Sequence, residues 1–417
     1  MTNRDCRSIE ITNASAEAVK RLDDIANDIF LMIGDPLEKC GKLIEDEPDI
    51  PFAYCLSAYL RLSSAKQSER ELAASDLNRA LRLPMNERER HYVEGAFAWQ
   101  AGQIESSLRT WERQNVAEPL DLLTVRILHD LYFWMGDAEK IRDGTARVMN
   151  AYDKDTPGYY LLNGMHAFGL EESGHYAQAQ EAADLALSDQ PNDVWAVHAM
   201  AHVHEMRNDP DAGVAFLRAR HDDWSHENFL AGHNWWHLSL FLLEQERFER
   251  VVDIYDRSIR GERSCLFIDL NDACALLWRL HLCDIDVADR WMTLAEDWAS
   301  VVDNAIWPFY ISHGAIAFAG AGRINDCDAL ITRMEQLAQG EDTYASMLRI
   351  AAIPFSRAIR AFAVEEYESC IEELLDCRYT LRLFGGSHAQ RDIAHLTLLE
   401  ASRRTGNRAL TRALLSE

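Results

Sequence analysis

The chain has 417 residues, 48% of them hydrophobic and 26% charged, with a formal net charge of −26. That composition belongs to a folded protein and excludes disorder over most of the length. The acidity excludes nucleic-acid backbones and anionic membrane surfaces as partners, because both need basic surface.

In chain order, the opening stretch MTNRDCRSIEITNAS has no apolar core of the signal-peptide type, and no later apolar run is long enough to cross a bilayer. Nine cysteines are scattered without a CxxC pair, which predicts reduced thiols and a cytoplasmic setting rather than a disulfide framework. Cys265, Cys274 and Cys283, nine apart, read as small apolar fillers. Strand signals are scarce: there is no sustained period-two alternation and no Asn-Gly hairpin. The segments AYCLSAYLRLSS and ELAASDLNRALRL predict a helical hairpin within a divergent N-terminal part, residues 1–84. From 85 to 417 the pattern is one continuous series of helical hairpins, with no Gly/Ser/Pro linker to divide it.

The repeat shows in the turns. AGQIESSL, MGDAEKIR, SGHYAQAQ, RNDPDAGV, QERFERVV, DIDVADRW, GRINDCDA, EEYESCIE and GNRALTRA each separate an apolar helical run from a more amphipathic one. With Gln103, Asp137, His175, Asp209, Arg247, Asp286, Arg323, Glu366 and Asn407 as equivalent marks, the spacings are 34, 38, 34, 38, 39, 37, 43 and 41. Such a period predicts stacked helix–turn–helix hairpins, each burying its face on its neighbours: an all-α solenoid, tightly curled where the period departs from uniformity. The period and the stretch SGHYAQAQEAADLALSDQPND (173–193) resemble tetratricopeptide repeats. At a finer level WAVHAMAHVHEM (195–206), GHNWWHLSLFLLE (232–244), DLNDACALLWRL (269–280) and GSHAQRD (386–392) resemble the tetratricopeptide repeat protein 38 family. That resemblance implies a helical repeat fold and brings no activity or substrate with it.

Counting backwards from each mark gives every first helix a station number. His198 and His202 stand 11 and 7 before Asp209, His233 and His237 stand 14 and 10 before Arg247, and Glu205 stands 4 before its mark. Asp272 and Arg279 share the stations of His233 and His202, and His313 shares that of His237. These offsets form one stripe of a 3.6-residue helix. In tetratricopeptide repeats that stripe lines the concave, ligand-binding surface. The two HxxxH pairs are therefore expected to face each other across adjoining helices in an open groove, with Asn234 beside them and Trp236 as a wall. His166, His175, His204 and His281 are expected to pack, and so is Trp235. Asp269 and Asp272 have a second use open to them, capping a helix start. GGSHAQRD places Ser387 as an N-cap and gathers His388, Arg391 and Asp392 where an arginine could clamp a carboxylate or phosphate.

Three kinds of chemistry suit these residues. His198, His202, His233 and His237, with Asp272 or Glu205, could hold one or two divalent ions (zinc, manganese or iron) and activate water for amide or ester hydrolysis. Without a metal, His233 with Asp272 would act as general base while Arg279 or Arg391 holds an anionic substrate. Alternatively the stripe binds a small molecule, a peptide end or a protein partner without catalysis. No nucleophile elbow, phosphate loop or dinucleotide glycine pattern is present. The apolar faces of end repeats leave room for a homodimer.

Overall fold

The computed structural model describes residues 2–226 and 228–417. It is all-helical apart from a short antiparallel hairpin, β1 (Thr2–Arg4) with β2 (Glu10–Thr12), in which Asn3 pairs with Ile11. No strand signal marks that stretch, because three residues are too few to display a period of two. No helix among the described residues is long and apolar enough to cross a membrane.

The chain divides into two compact units. The first comprises 1–133 and 137–234 and the second 134–136 and 235–417. In order along the first unit run α1 (Ala16–Leu31), α2 (Pro36–Asp46), α3 (Pro51–Ser63), α4 (Gln67–Ala80), α5 (Glu87–Gln100), α6 (Ile104–Ala117), α7 (Leu122–Trp134), α8 (Ala138–Ala146), α9 (Tyr159–Glu172), α10 (Tyr176–Asp189), α11 (Val194–Met206), α12 (Pro210–Ala219) and the single turn α13 (His221–Trp224). The start of α14 (Ala231–Glu244) completes it. Its remainder opens the second unit, followed by α15 (Phe248–Ile254), α16 (Phe267–Leu282), α17 (Arg290–Val301), α18 (Pro308–Gly320), α19 (Ile324–Leu337), α20 (Thr343–Met347), α21 (Ile353–Ala363), α22 (Tyr367–Cys377), α23 (His388–Arg404) and α24 (Arg408–Leu414).

One turn builds most hairpins. The first helix ends in a left-handed residue, whose successor caps the second helix. At the α9–α10 turn Gly174 has φ +79°, its N–H donates to the Glu171 carbonyl, and the His175 N–H donates to the Leu170 carbonyl, both at 2.8 Å. That pair of bonds satisfies two of the carbonyls a helix end leaves open. Eight of the nine marks are the N-cap residue of the second helix: Gln103, Asp137, His175, Asp209, Arg247, Arg323, Glu366 and Asn407. Asp286 is the exception. There Asp284 is left-handed, Ala288 is left-handed again, and α17 begins only at Arg290.

Each unit also folds back on itself. In the second, α16, α18 and α21 pack in succession, and α23 packs against both α21 and α16. The Trp278 indole N–H donates to Thr397 Oγ1 at 2.9 Å across that last contact. In the first, the segment before α14 returns to the chain start, Asn228 bridging Ile33 and the Phe229 N–H donating to the Met32 carbonyl. Inner helix faces therefore meet other protein, and the stripe expected to line an open groove is buried. All nine cysteines are free; Cys274 is buried as a filler, but Cys265 and Cys283 are exposed.

Candidate metal centre

Helix α11 is set by Asp193, whose Oδ1 accepts from the Trp195 and Ala196 backbone N–H groups at 3.0 and 3.2 Å. This cap fixes the helix phase so that His198 and His202 share its buried inner face. His233, on the first turn of α14, reaches the same point. The Nε2 of His198 lies 3.0 Å from that of His202 and 3.1 Å from that of His233. The three residues are 3%, 0% and 4% exposed. Phe168 of α9 stacks on the His198 ring, with centroids 5.2 Å apart, and meets the His202 ring edge-on.

A neutral imidazole has one N–H and one in-plane lone pair. At Nε2, His198 has one of the two, yet two ring nitrogens approach it. A single divalent ion would accept lone pairs from all three. Ligand nitrogens bonded at about 2.0–2.1 Å and spread by 90–109° stand about 2.8–3.4 Å apart, which matches the spacing found. Burial, followed by the neighbouring rings of His202, His233 and His129, holds the His198 pKa well below its ordinary value. The ring is therefore neutral, as a ligand must be.

The opposite nitrogen of His202 faces acid. Its Nδ1 lies 3.3 Å from Glu171 Oε2 and 3.6 Å from Glu172 Oε1, all three side chains being at most 3% exposed. A carboxylate behind a histidine ligand fixes the ring and raises its basicity. Both sets, the histidines and Glu171–Glu172–His202, bring their donor atoms within 4.8 Å of one another and could hold a metal ion.

The other expected site residues are placed as follows. Glu205 is half-buried near the end of α11. Asn234 is fully buried, its side-chain amide without a hydrogen-bond partner among the described residues. In the second unit His237 and Trp236 are fully buried, the latter with the Arg279 guanidinium carbon 5.3 Å from its ring centroid. Trp236 is thus core rather than an open wall, and Trp235 is the half-buried one. Asp272 is buried within α16. Arg279 donates to the Ala389 carbonyl at 2.7 Å and the Ala275 carbonyl at 3.1 Å. The Nδ1 of buried His313 lies 2.8 Å from the Phe309 carbonyl. Asp269 and Asp272 do not cap α16, because the helix starts at Phe267 and places both inside it.

Ser387 caps α23 as expected, in a reciprocal pair with Gln390. His388 and Asp392 are exposed, and Arg391 donates to the Gly386 carbonyl of its own loop. Among the histidines expected to pack, the His166 Nδ1 lies 2.8 Å from Thr145 Oγ1, His204 lies against Phe216 and His281 against Trp278.

Sequence reasoning missed Glu171, Glu172 and His129. Glu171 stands four before the mark His175, the station of Glu205, so the same count would have found it. His129, eight before its mark, is off the stripe; its ring touches Phe168 and Trp195, with burial pushing its pKa down to about 3. No protein-family model matches the chain.

Proposed function

We propose that this is a tetratricopeptide-like helical repeat protein, of the tetratricopeptide repeat protein 38 kind, that holds a divalent zinc, manganese or iron ion on His198, His202 and His233. The observation that carries the reading is the meeting of three buried Nε2 atoms at 3.0 and 3.1 Å. The carboxylates of Glu171 and Glu172 beside His202 support it, since buried anionic groups next to a ligand ring stabilise a bound cation. Three imidazoles leave a coordination position for water, and an ion-bound water ionises near neutral pH. The activity that follows is hydrolysis of an amide or ester in a small molecule or peptide end. One observation favours a second reading, a non-catalytic scaffold with a structural ion: the ligand rings are at most 4% exposed.

Elemental analysis of protein purified without chelators tests the reading, beside a His198→Gln/His233→Gln variant. A stoichiometric ion that the variant lacks supports it, and no ion even after reconstitution overturns it. Assaying the loaded protein against small amides and esters separates the two readings. Turnover that the variant lacks supports the hydrolase; an ion without turnover leaves the scaffold.

A further inference from the structure

Resting on that reading, we infer that the centre takes two ions, the second held by Glu171, Glu172 and the Nδ1 of His202, with the His202 ring bridging them. The argument begins with the two faces of one ring. Its Nε2 points into the histidine group at 3.0 Å and its Nδ1 into the carboxylate pair at 3.3 and 3.6 Å. The second group is a donor set by itself, with its ligand atoms within 4.8 Å of one another.

The distances separate a ligand from a support. A charge-assisted N–H···O contact closes to about 2.7–2.9 Å. Two ligand atoms sharing one ion, at bonds of about 2.0–2.2 Å and angles of 90–109°, stand about 2.8–3.6 Å apart. Both contacts of His202 Nδ1 are too long for the first and fit the second. Burial adds to this, because carboxylates at 0% and 3% side-chain exposure are stable beside a metal ion. Two hard carboxylate ligands and one imidazole suit zinc, manganese or iron.

The proton balance is definite. With the first ion on Nε2, the one N–H of His202 is on Nδ1. A second ion would displace that proton to buffer and bond the lone pair freed at Nδ1, so the ring would become a bridging imidazolate.

The experiment is titration with zinc chloride, read by elemental analysis and by calorimetry in two buffers of different ionisation enthalpy. Half-buried His221 with exposed Asp222 and His226 forms another possible donor group, so counts are taken in a His221→Ala/His226→Ala background. The expected result is two zinc ions per chain, the second releasing one proton more than the first, and one ion in Glu171→Gln/Glu172→Gln. A single ion before the glutamates are changed overturns the inference while leaving the proposed function intact; that count needs no folded glutamate variant. Two ions retained in the glutamate variant also overturn it, by placing the second elsewhere. No ion in any form overturns the proposed function as well.

Discussion

In the second unit two polar groups of the inner stripe meet backbone: Arg279 is held by the Ala389 and Ala275 carbonyls, and the His313 ring faces the Phe309 carbonyl. In the first unit His198, His202 and His233 meet one another nitrogen to nitrogen, with carboxylates behind His202. Arg279 shares the station of His202, and both sets are buried. A polar side chain that ends on a carbonyl holds the fold together; ring nitrogens that end on each other form a donor set. Partner chemistry, more than burial or spacing, distinguishes structural polar residues from a candidate centre.

The largest effect that could break this comparison comes from His202→Ala. It removes a fully buried ring from between Glu171, His198 and Phe168, leaving a cavity and taking the imidazole from two buried carboxylates. We expect a loss of about 3–5 kcal/mol in urea unfolding of the metal-free protein, together with loss of zinc. Arg279→Leu, in the second unit, removes the charge-assisted bond to Ala389 and should cost about 1.5–3 kcal/mol with zinc binding unchanged. If Arg279→Leu also abolished zinc uptake, the functional contrast between the stripes would be lost.

Acid sharpens the comparison. Burial pushes His129 down to about 3 and His313 to about 4, from an ordinary 6.5, and lowers His198 as well. A folded pKa below the unfolded one means that the unfolded chain takes up the proton first. Stability contributed by these rings is thus present above about pH 6.5. It falls on acidification towards the folded values, by about 1.4 kcal/mol per pH unit for each ring. Asp193 acts in the opposite sense. Burial raises it to about 7, so between about 3.8 and 7 the folded state holds the proton that the unfolded chain has lost. Urea unfolding of metal-free protein from pH 4.5 to 7 checks both signs. His129→Phe should flatten the decline and Asp193→Asn should steepen it. A flat profile in all three proteins would mean that these groups are not buried as described.

Much of this architecture was legible in the sequence because the turn is chemically demanding. A left-handed residue followed by a helix start leaves Gly, Asn or a polar residue at a fixed place, so eight marks fell on N-cap positions. Asp286 failed because two left-handed residues, Asp284 and Ala288, delay α17 by several positions. The stripe was legible for the same reason, since helical period carries stations from one repeat to the next. Whether that stripe faces water was not. Contacts such as Trp278 with Thr397, 119 residues apart, help to bury it, and no local pattern records a contact at that separation. Glu171 was overlooked although its station was known.

The turns themselves give the smaller tests. Gly174→Ala places a methyl in open space at φ +79° and should cost about 1 kcal/mol, from backbone strain alone. Gly136→Ala in the second unit should cost more, since its Cβ would lie 1.8 Å from the Arg382 carbonyl oxygen. Thermal melts of the two variants side by side read the difference, and equal losses would mean that the Gly136 turn relaxes freely.

The smallest effect runs the other way. At the same point of their turns Glu246 and Glu365 hold φ +54° and +64°, where a side chain costs about 1–2 kcal/mol, and both are exposed. Glycine removes that strain but adds about 0.4–1 kcal/mol of unfolded-chain entropy. Glu365→Gly should therefore stabilise the protein by about 0.5 kcal/mol in urea unfolding. Glu366, which pairs with Arg360, is left in place. A comparable gain from Glu246→Gly would tie the effect to the shared turn; destabilisation by both would show that their left-handed backbone is not strained.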